Sequence, residues 1–107
     1  MKREEQSGTG PTDADAVLAE LFAVIEDRKE TMPDDSYTAD LLGHEKGEDV
    51  ILEKLGEEST ELILAAKGGE EAEIAHEGAD LVYHLLVLLA ATDVELEALL
   101  SELRERR

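Results

Sequence analysis

The chain has 107 residues, of which 28 are Asp or Glu and 10 are Lys or Arg, so its formal net charge is -18. A surface this negative repels the phosphates of nucleic acids and anionic membranes, so we expect no binding to either. The absence of cysteine excludes disulfides, zinc-thiolate sites and thiol catalysis. Because 42% of the residues are hydrophobic and fall in periodic segments, the chain is expected to fold as one domain.

The N-terminal segment, residues 1–12, is polar and contains Gly8, Gly10 and Pro11. It is predicted to be a flexible tail, with the folded domain spanning residues 13–107. It has no apolar stretch typical of a signal peptide, so the protein is expected to be cytoplasmic. The acidic coat, with five lysines in the chain, is typical of a cytoplasm rich in salt.

The first helix is predicted to begin at Asp13, capped by Thr12 or Asp13, and to end before Pro33. The following connection, from Thr31 to about Asp49, is long for a compact domain, and such connections are often functional. A short helix capped by Thr38 is predicted within it, over the sequence "ADLL".

Two long helices follow, from about Glu48 to Lys67 and from about Glu70 to Ala91. The Gly68-Gly69 pair between them predicts a tight antiparallel hairpin. A last helix begins after Thr92, which forms a capping-box pattern with Glu95. Since no segment alternates with the period of a strand, the fold class is all-α with four to five helices.

The helix after the glycine pair is apolar around nearly its whole circumference, including the run "LVYHLLVLLAA". That run is shorter than the roughly 18 residues needed to cross a bilayer, so it is predicted to be buried in protein. The other helices are too few to surround it. We therefore expect an intertwined helical-bundle homodimer.

Acidic residues interrupt the apolar seams of both long helices. Glu58 takes a core position in the seam that begins at Ile51, and Glu77 takes one in the seam that begins at Ile74. Glu61 and Asp80 lie within one turn of them. Counted from the glycine turn, Glu61 and Glu77 are level, so four carboxylates are expected to converge across the hairpin.

Converging carboxylates repel one another and lose hydration. Pairing with lysine, protonation or rotation towards solvent could relieve this. Lys54 and Lys67 could neutralise two acids at most, so a divalent cation is the remaining compensation. A donor set made of oxygen favours Mg²⁺, with Mn²⁺ as the alternative, and such sites handle phosphate esters and anhydrides.

The order EExxE then ExxD, and the segments "DSYTADL", "ILEKLGEESTELILAAKGG" and "EGADLVYHLLVLL", resemble the phosphoribosyl-ATP pyrophosphatase family of histidine biosynthesis. This family belongs to the all-α nucleotide pyrophosphohydrolase superfamily, and the resemblance covers about residues 16–104. It implies hydrolysis of phosphoribosyl-ATP to phosphoribosyl-AMP and pyrophosphate with Mg²⁺. It also implies metal ligation by Glu58, Glu61, Glu77 and Asp80, with Glu57 as a further ligand or the general base.

Substrate contacts are expected from Lys54 and Lys67, and from Ser36, Tyr37 and Thr38, which match the family's loop motif. Each has a structural alternative: ion pairing for the lysines, capping for Ser36 or Thr38, and packing for Tyr37. His84 is expected to be a core histidine paired with a neighbouring acid.

Two other functions fit the same pattern. One is a related pyrophosphohydrolase that clears non-standard nucleoside triphosphates with the same acids. The other is a helical oligomerisation module without catalysis, in which the acids serve only as an adaptation to high salt.

Overall fold

The computed structural model describes residues 11–107, with side chains from Ala14 onwards. The described chain contains five helices and no strand. They are α1 (Pro11–Thr31), α2 (Tyr37–Leu42), α3 (Glu48–Gly68), α4 (Glu71–Ala91) and α5 (Leu96–Glu105). The all-α prediction is confirmed. The predicted flexible tail falls, apart from Pro11 and Thr12, outside the described residues.

The starts of α1 and α2 differ from the prediction. α1 begins at Pro11, so Thr12 and Asp13 lie inside the helix rather than capping it. Proline is favoured at a first helical position because its fixed φ suits the helix and no donor is lost there. α2 is capped by Ser36, whose Oγ accepts a hydrogen bond from the Ala39 N–H (3.1 Å). Thr38, the predicted cap, is already helical.

The junction between α4 and α5 also differs from the predicted capping box. Thr92 caps the C-terminus of α4, and its hydroxyl donates to the Leu88 carbonyl (2.8 Å). Asp93 has a left-handed φ of 59°, and the Val94 N–H donates to the Leu89 carbonyl (2.9 Å). This is the bonding of a Schellman motif, which satisfies carbonyls at a helix end. Thr92 is therefore used to end α4, not to begin α5.

The hairpin of α3 and α4 is the main packing unit of the chain. α3 ends where Gly69 takes a left-handed φ of 79° and its N–H donates to the Ala65 carbonyl (3.1 Å). A side chain with a Cβ is strained in that conformation, so glycine allows the sharp reversal. The predicted antiparallel hairpin is confirmed.

The apolar core lies at the end of the hairpin far from the glycine turn. α1, α2 and α5 contribute to it, together with the start of α3 and the end of α4. Its buried members are Phe22, Ile25, Leu41, Ile51, Leu86, Val87, Ala90 and Leu96. The glycine end extends beyond this core. The radius of gyration of 15.6 Å accordingly exceeds the roughly 13 Å of a compact domain of this size.

α4 is the most apolar helix and the only described one that is long and apolar enough, by length and composition, to cross a membrane. The sequence-based expectation that α4 is too short to cross a bilayer considered its C-terminal half alone, whereas the whole helix has 21 residues. Only 22% of its most apolar window is buried within the chain. Since α4 packs along α3 and also contacts α1 and α2, we interpret it as the central helix of a bundle.

Lys29 joins α1 to the end of α4. Its Nζ donates to the Ala90 carbonyl (2.7 Å) and pairs with Asp93 Oδ1 (2.8 Å). The hydrogen bond to Asp93 raises the pKa of Lys29, so the ammonium form is favoured. A cation placed on the last carbonyls of a helix also interacts favourably with the helix dipole.

Replacing Lys29 by methionine should lower the free energy of unfolding by about 1 kcal/mol, since the part-buried Ala90 carbonyl loses its charged donor and keeps backbone N–H donors alone. Urea denaturation at constant KCl concentration would measure the change. Lys46→Met is the matched control, because the Lys46–Glu53 ion pair is exposed on both sides and should contribute little. Equal effects of the two substitutions would contradict the helix-end role of Lys29.

Candidate metal and phosphate site

The hairpin brings acids of both helices together. Oxygen atoms of Glu58, Glu61 and Glu77 lie within 4.8 Å of one another. Asp80 joins a second group of the same tightness that includes Glu77. The expected convergence of four carboxylates is therefore found, and Glu77 is common to both groups.

Glu58 is the most buried of these acids, with 6% of its surface exposed. Burial raises its pKa, and the negative charges of Glu61 and Asp80 raise it further. His84 acts in the opposite direction but does not cancel these effects. The carboxylate form of Glu58 is therefore disfavoured unless positive charge is supplied.

Glu77 is half-buried, and burial followed by repulsion from Glu61 raises its pKa. Its Oε1 is a buried side-chain oxygen that has no hydrogen-bond partner among the described residues. Buried acceptors normally have a partner. An unpaired oxygen on a carboxylate that is grouped with two others suits a cation ligand, so the residues present fit a hard divalent ion.

The lysine on the same side of α3 forms its ion pair outside this cluster. Lys54 pairs with Glu57 (3.3 Å), three residues further along α3. Glu57 stays largely exposed and belongs to neither of the close carboxylate groups. Neither a lysine partner nor exposure to solvent therefore relieves the charge of Glu58. Protonation of Glu58 and binding of a cation are the two explanations that remain.

Lys67 lies away from the acids. It is nine residues beyond Glu58 on α3, which places it about half a helical turn round and roughly 13 Å further along the axis. Lys67 therefore lies on the opposite side of α3 from Glu58, whereas Lys54 lies one turn before Glu58 and on the same side as it.

Ser36, Tyr37 and Thr38, the predicted substrate contacts, differ in their exposure and in their hydrogen-bond partners. The Ser36 hydroxyl is engaged as the α2 cap, and the buried Thr38 hydroxyl bonds to that of Tyr83. Tyr37 is half-exposed, and its ring stacks on that of Tyr83 at a centroid distance of 6.2 Å. Tyr37 therefore has the most surface left for a ligand.

His84 is buried, as expected, but its partners are not acidic side chains. Its Nδ1 lies 2.8 Å from the Asp80 carbonyl, which can only accept, so this nitrogen carries hydrogen. Its Nε2 lies 2.9 Å from the Tyr37 hydroxyl. In the neutral ring Nε2 therefore accepts from Tyr37. The interaction joins α2 to the acid-bearing part of α4.

His76, which was not predicted as a site residue, lies beside the acids. Its Nε2 is 3.5 Å from Asp80 Oδ2. The available signal was the string "HEGAD", in which the imidazole and carboxylate are four residues apart on a helix and so share a face.

A cavity of about 350 Å³ opens between α3 and α4 on the glycine side of the acids. One wall is apolar, with Leu64 and Ala65, and the other is acidic, with Glu70, Glu73 and Glu77. Its acidic wall would repel a bare phosphate, so an anionic ligand needs a counterion there.

The raised pKa values of Glu58 and Glu77 predict how pH affects the stability of the metal-free protein. Between about pH 4.3, where a glutamate in an unfolded chain titrates, and the higher pKa of the folded state, the folded chain binds more protons. Stability should therefore fall as pH rises through this window. Comparing urea denaturation at pH 5 and pH 8 for the wild type and Glu58→Gln/Glu77→Gln would isolate this effect.

The gap in unfolding free energy, variant minus wild type, should widen in favour of the variant at the higher pH. A gap that is the same at both pH values would contradict raised pKa values in the cluster.

Comparison with known proteins identifies the family. The sequence model of the phosphoribosyl-ATP pyrophosphohydrolase family matches residues 18–107. The phosphoribosyl-ATP pyrophosphatase of Halobacterium salinarum is 66% identical over 91 residues, covering 84% of this chain and 96% of its own. That of Haloarcula marismortui is 61% identical over 95 residues, covering 89% and 97%. That of Natronomonas pharaonis is 64% identical over 101 residues, covering 94% and 99%. The chain belongs to the phosphoribosyl-ATP pyrophosphohydrolase family.

Proposed function

We propose that the chain hydrolyses phosphoribosyl-ATP to phosphoribosyl-AMP and pyrophosphate in histidine biosynthesis, with Mg²⁺ held by Glu58, Glu61, Glu77 and Asp80. The family match over nearly the whole folded chain supports the reaction. The observation that carries the metal proposal is the buried, unpaired Oε1 of Glu77 beside Glu58 and Glu61.

Mg²⁺ is the ion favoured by the four carboxylates, since it prefers oxygen ligands and is commonly shared with substrate phosphates. Mn²⁺ is the alternative, because it accepts the same oxygen donors. When bound, such an ion neutralises phosphate charge and lowers the pKa of water. In a chain of net charge -18, it also removes the repulsion that would keep a triphosphate away.

Glu57 is the proposed general base at the edge of this site, or an additional ligand. Its side chain is largely exposed, so it can accept a proton from an attacking water. Lys54, paired with it at 3.3 Å, would hold the carboxylate in position and offer its ammonium group to substrate phosphate. The hydrogen bond to Glu57 raises the pKa of Lys54, so the lysine stays charged.

On the α2 side, Tyr37 is the proposed direct contact with the substrate, because its ring is half-exposed and its hydroxyl is held by His84. Ser36 and Thr38 would support that contact by fixing the start of α2 and its packing against Tyr83. Lys67 faces away from Glu58 on α3. It would reach substrate phosphates only from the far end of the hairpin.

The proposed setting is a salt-rich cytoplasm. The acidic coat suits high ionic strength because screening weakens the repulsion among surface carboxylates. The compared relatives from Halobacterium, Haloarcula and Natronomonas share long, closely matching sequences with this chain.

The elongated chain supports a homodimer. On α3, Leu52 and Ile63 are exposed and lie on one face, about 20° apart on the helix. Between them on that face is Gly56, where an added Cβ would meet no atom of the chain. Val82 on α4 is also exposed. A second copy, packed along the hairpin, would cover these side chains and complete the predicted intertwined bundle.

The reaction is tested by measuring pyrophosphate release from phosphoribosyl-ATP with and without Mg²⁺. Glu77→Gln should lower kcat/KM by at least about 100-fold, because even outer-shell partners of a metal contribute 10- to 100-fold. Glu53→Gln is the control on the same helix, since Glu53 pairs with Lys46 at the surface. Hydrolysis without divalent cations would overturn the metal proposal, and faster hydrolysis of common nucleoside triphosphates would overturn the substrate.

The dimer is tested by sedimentation velocity over a range of concentrations. Ile63→Gln removes one apolar side chain per copy from the proposed interface, so the dimer dissociation constant should rise by about 100-fold. Leu103→Gln, at a similarly exposed leucine on α5, should leave it unchanged. A wild-type chain that sediments as a monomer at tens of micromolar would contradict the proposal.

A further inference from the structure

The hydrogen bonds of His84 determine which way the Tyr37 hydroxyl can bond to a ligand. The His84 Nδ1 lies 2.8 Å from the Asp80 carbonyl oxygen, which can only accept, so Nδ1 carries the ring hydrogen. In the neutral ring Nε2 then has a free lone pair, and it lies 2.9 Å from the Tyr37 hydroxyl. The hydrogen of that hydroxyl is therefore directed at His84. The phenol oxygen can still accept a hydrogen bond, but it has no second hydrogen to donate.

Burial keeps these donor and acceptor roles in place. His84 is 4% exposed, and its ring packs edge-on against Tyr37 and Tyr83, at centroid distances of 5.9 and 5.0 Å. The carbonyl that it bonds lies one turn earlier on the same helix, so the position of this acceptor is fixed by α4 itself. In a buried network each polar atom needs its partner, so reversing the ring would leave polar groups unpaired.

Lys54 places a positive charge beside the Tyr37 hydroxyl. Burial raises the pKa of Tyr37, and the charge of Lys54 opposes this effect. The Lys54 ammonium group donates to Glu57 (3.3 Å), and the Tyr37 side chain is half-exposed. A hydrogen-bond acceptor from α2 and an ammonium group from α3 therefore lie close together on the accessible side of the site.

These two groups fit different parts of one ligand. The oxygens of an ionised phosphate are acceptors, so they suit the ammonium group of Lys54 and are repelled by the lone pairs of the Tyr37 oxygen. A sugar hydroxyl can donate, so it suits the Tyr37 oxygen. A ribose that carries a phosphate offers both kinds of group side by side.

We propose that the Tyr37 oxygen accepts a hydrogen bond from a hydroxyl of the ribose that bears the triphosphate, and that His84 is the positioning residue that sets this polarity. The inference rests on the proposed function and names the substrate group that Tyr37 recognises. The phosphates are then left to Lys54 and to the cation held by the acids, and Tyr37 is not one of their ligands.

The plainer interpretation is that the bond between Tyr37 and His84 only fastens α2 to α4. The hydroxyl would then play no part in choosing the substrate. Its removal would lower the free energy of unfolding without changing which nucleotide is preferred.

Nitrogen NMR spectra of the full chain test the polarity without relying on catalysis. The chemical shifts of the two ring nitrogens distinguish both neutral tautomers and the charged form of histidine. The variant His44→Gln/His76→Gln leaves His84 as the only histidine, so its signals need no further assignment. At the pH of the activity assay we expect hydrogen on Nδ1 alone. Hydrogen on Nε2, in the other neutral tautomer or in the charged ring, overturns the inference.

The kinetic test compares phosphoribosyl-ATP with its 2′-deoxy and 3′-deoxy analogues, in each of which one hydroxyl of that ribose is missing. Tyr37→Phe is the test variant, because it keeps the ring and removes the oxygen alone. Tyr83→Phe is the matched control, since it removes the hydroxyl of the neighbouring stacked ring, which is bonded to Thr38. A ratio of kcat/KM values measured on one sample does not depend on the fraction of folded protein, so a loss of stability does not disguise the result.

For the wild type, loss of the bonded hydroxyl should lower kcat/KM by about 10-fold, mainly through KM, because one neutral hydrogen bond disappears. Tyr37→Phe should lose this discrimination, and Tyr83→Phe should keep it. Discrimination that is absent from the wild type, that persists in Tyr37→Phe, or that is lost in both variants overturns the inference and leaves the proposed function standing. A wild type that does not hydrolyse phosphoribosyl-ATP overturns both.

Discussion

Repulsion among carboxylates in the seam between α3 and α4 is the constraint on which the site depends. A buried glutamate is disfavoured in its charged form, and each neighbouring acid adds to that cost. Glu58 and Glu77 both show this effect. A protein selected only for stability would place apolar residues here, because replacing buried charges with well-packed hydrophobic groups is often neutral or stabilising. The cation ligation proposed for these acids would account for their place in the seam.

The rest of the fold holds these acids in register. The chain reversal at Gly69 fixes the register of α3 against α4, and the apolar core holds together the ends of these helices that lie far from Gly69. His84 then bonds the backbone of Asp80 on one side and the Tyr37 hydroxyl on the other. Because both bonds come from one buried ring, they tie α2 to the acid-bearing turn of α4. The half-exposed tyrosine is thereby positioned relative to the cluster by packing rather than by a flexible loop.

Much of this was predictable from the sequence, because helical periodicity and a glycine pair fix which residues share a seam. Glu58 and Glu77 were identified from spacing alone. The helix ends were not, since Ser36 and Thr38 are equally good caps by type, and Thr92 can end one helix as well as begin the next. The partners of His84 come from a backbone carbonyl and from a residue 47 positions away. Such contacts depend on tertiary packing, which spacing within one helix does not report.

The separation of the apolar core from the glycine end of the hairpin gives the molecule uneven local stability. Helical turns near the core are held by several neighbours, whereas those near Gly69 are held mainly by each other. Segments with few buried contacts open at lower free energy than the core. The acids lie between these two regions, so ligands that neutralise them would also order the tip of the hairpin. Binding of a ligand at the site and ordering of the outer half of the hairpin would therefore be thermodynamically coupled.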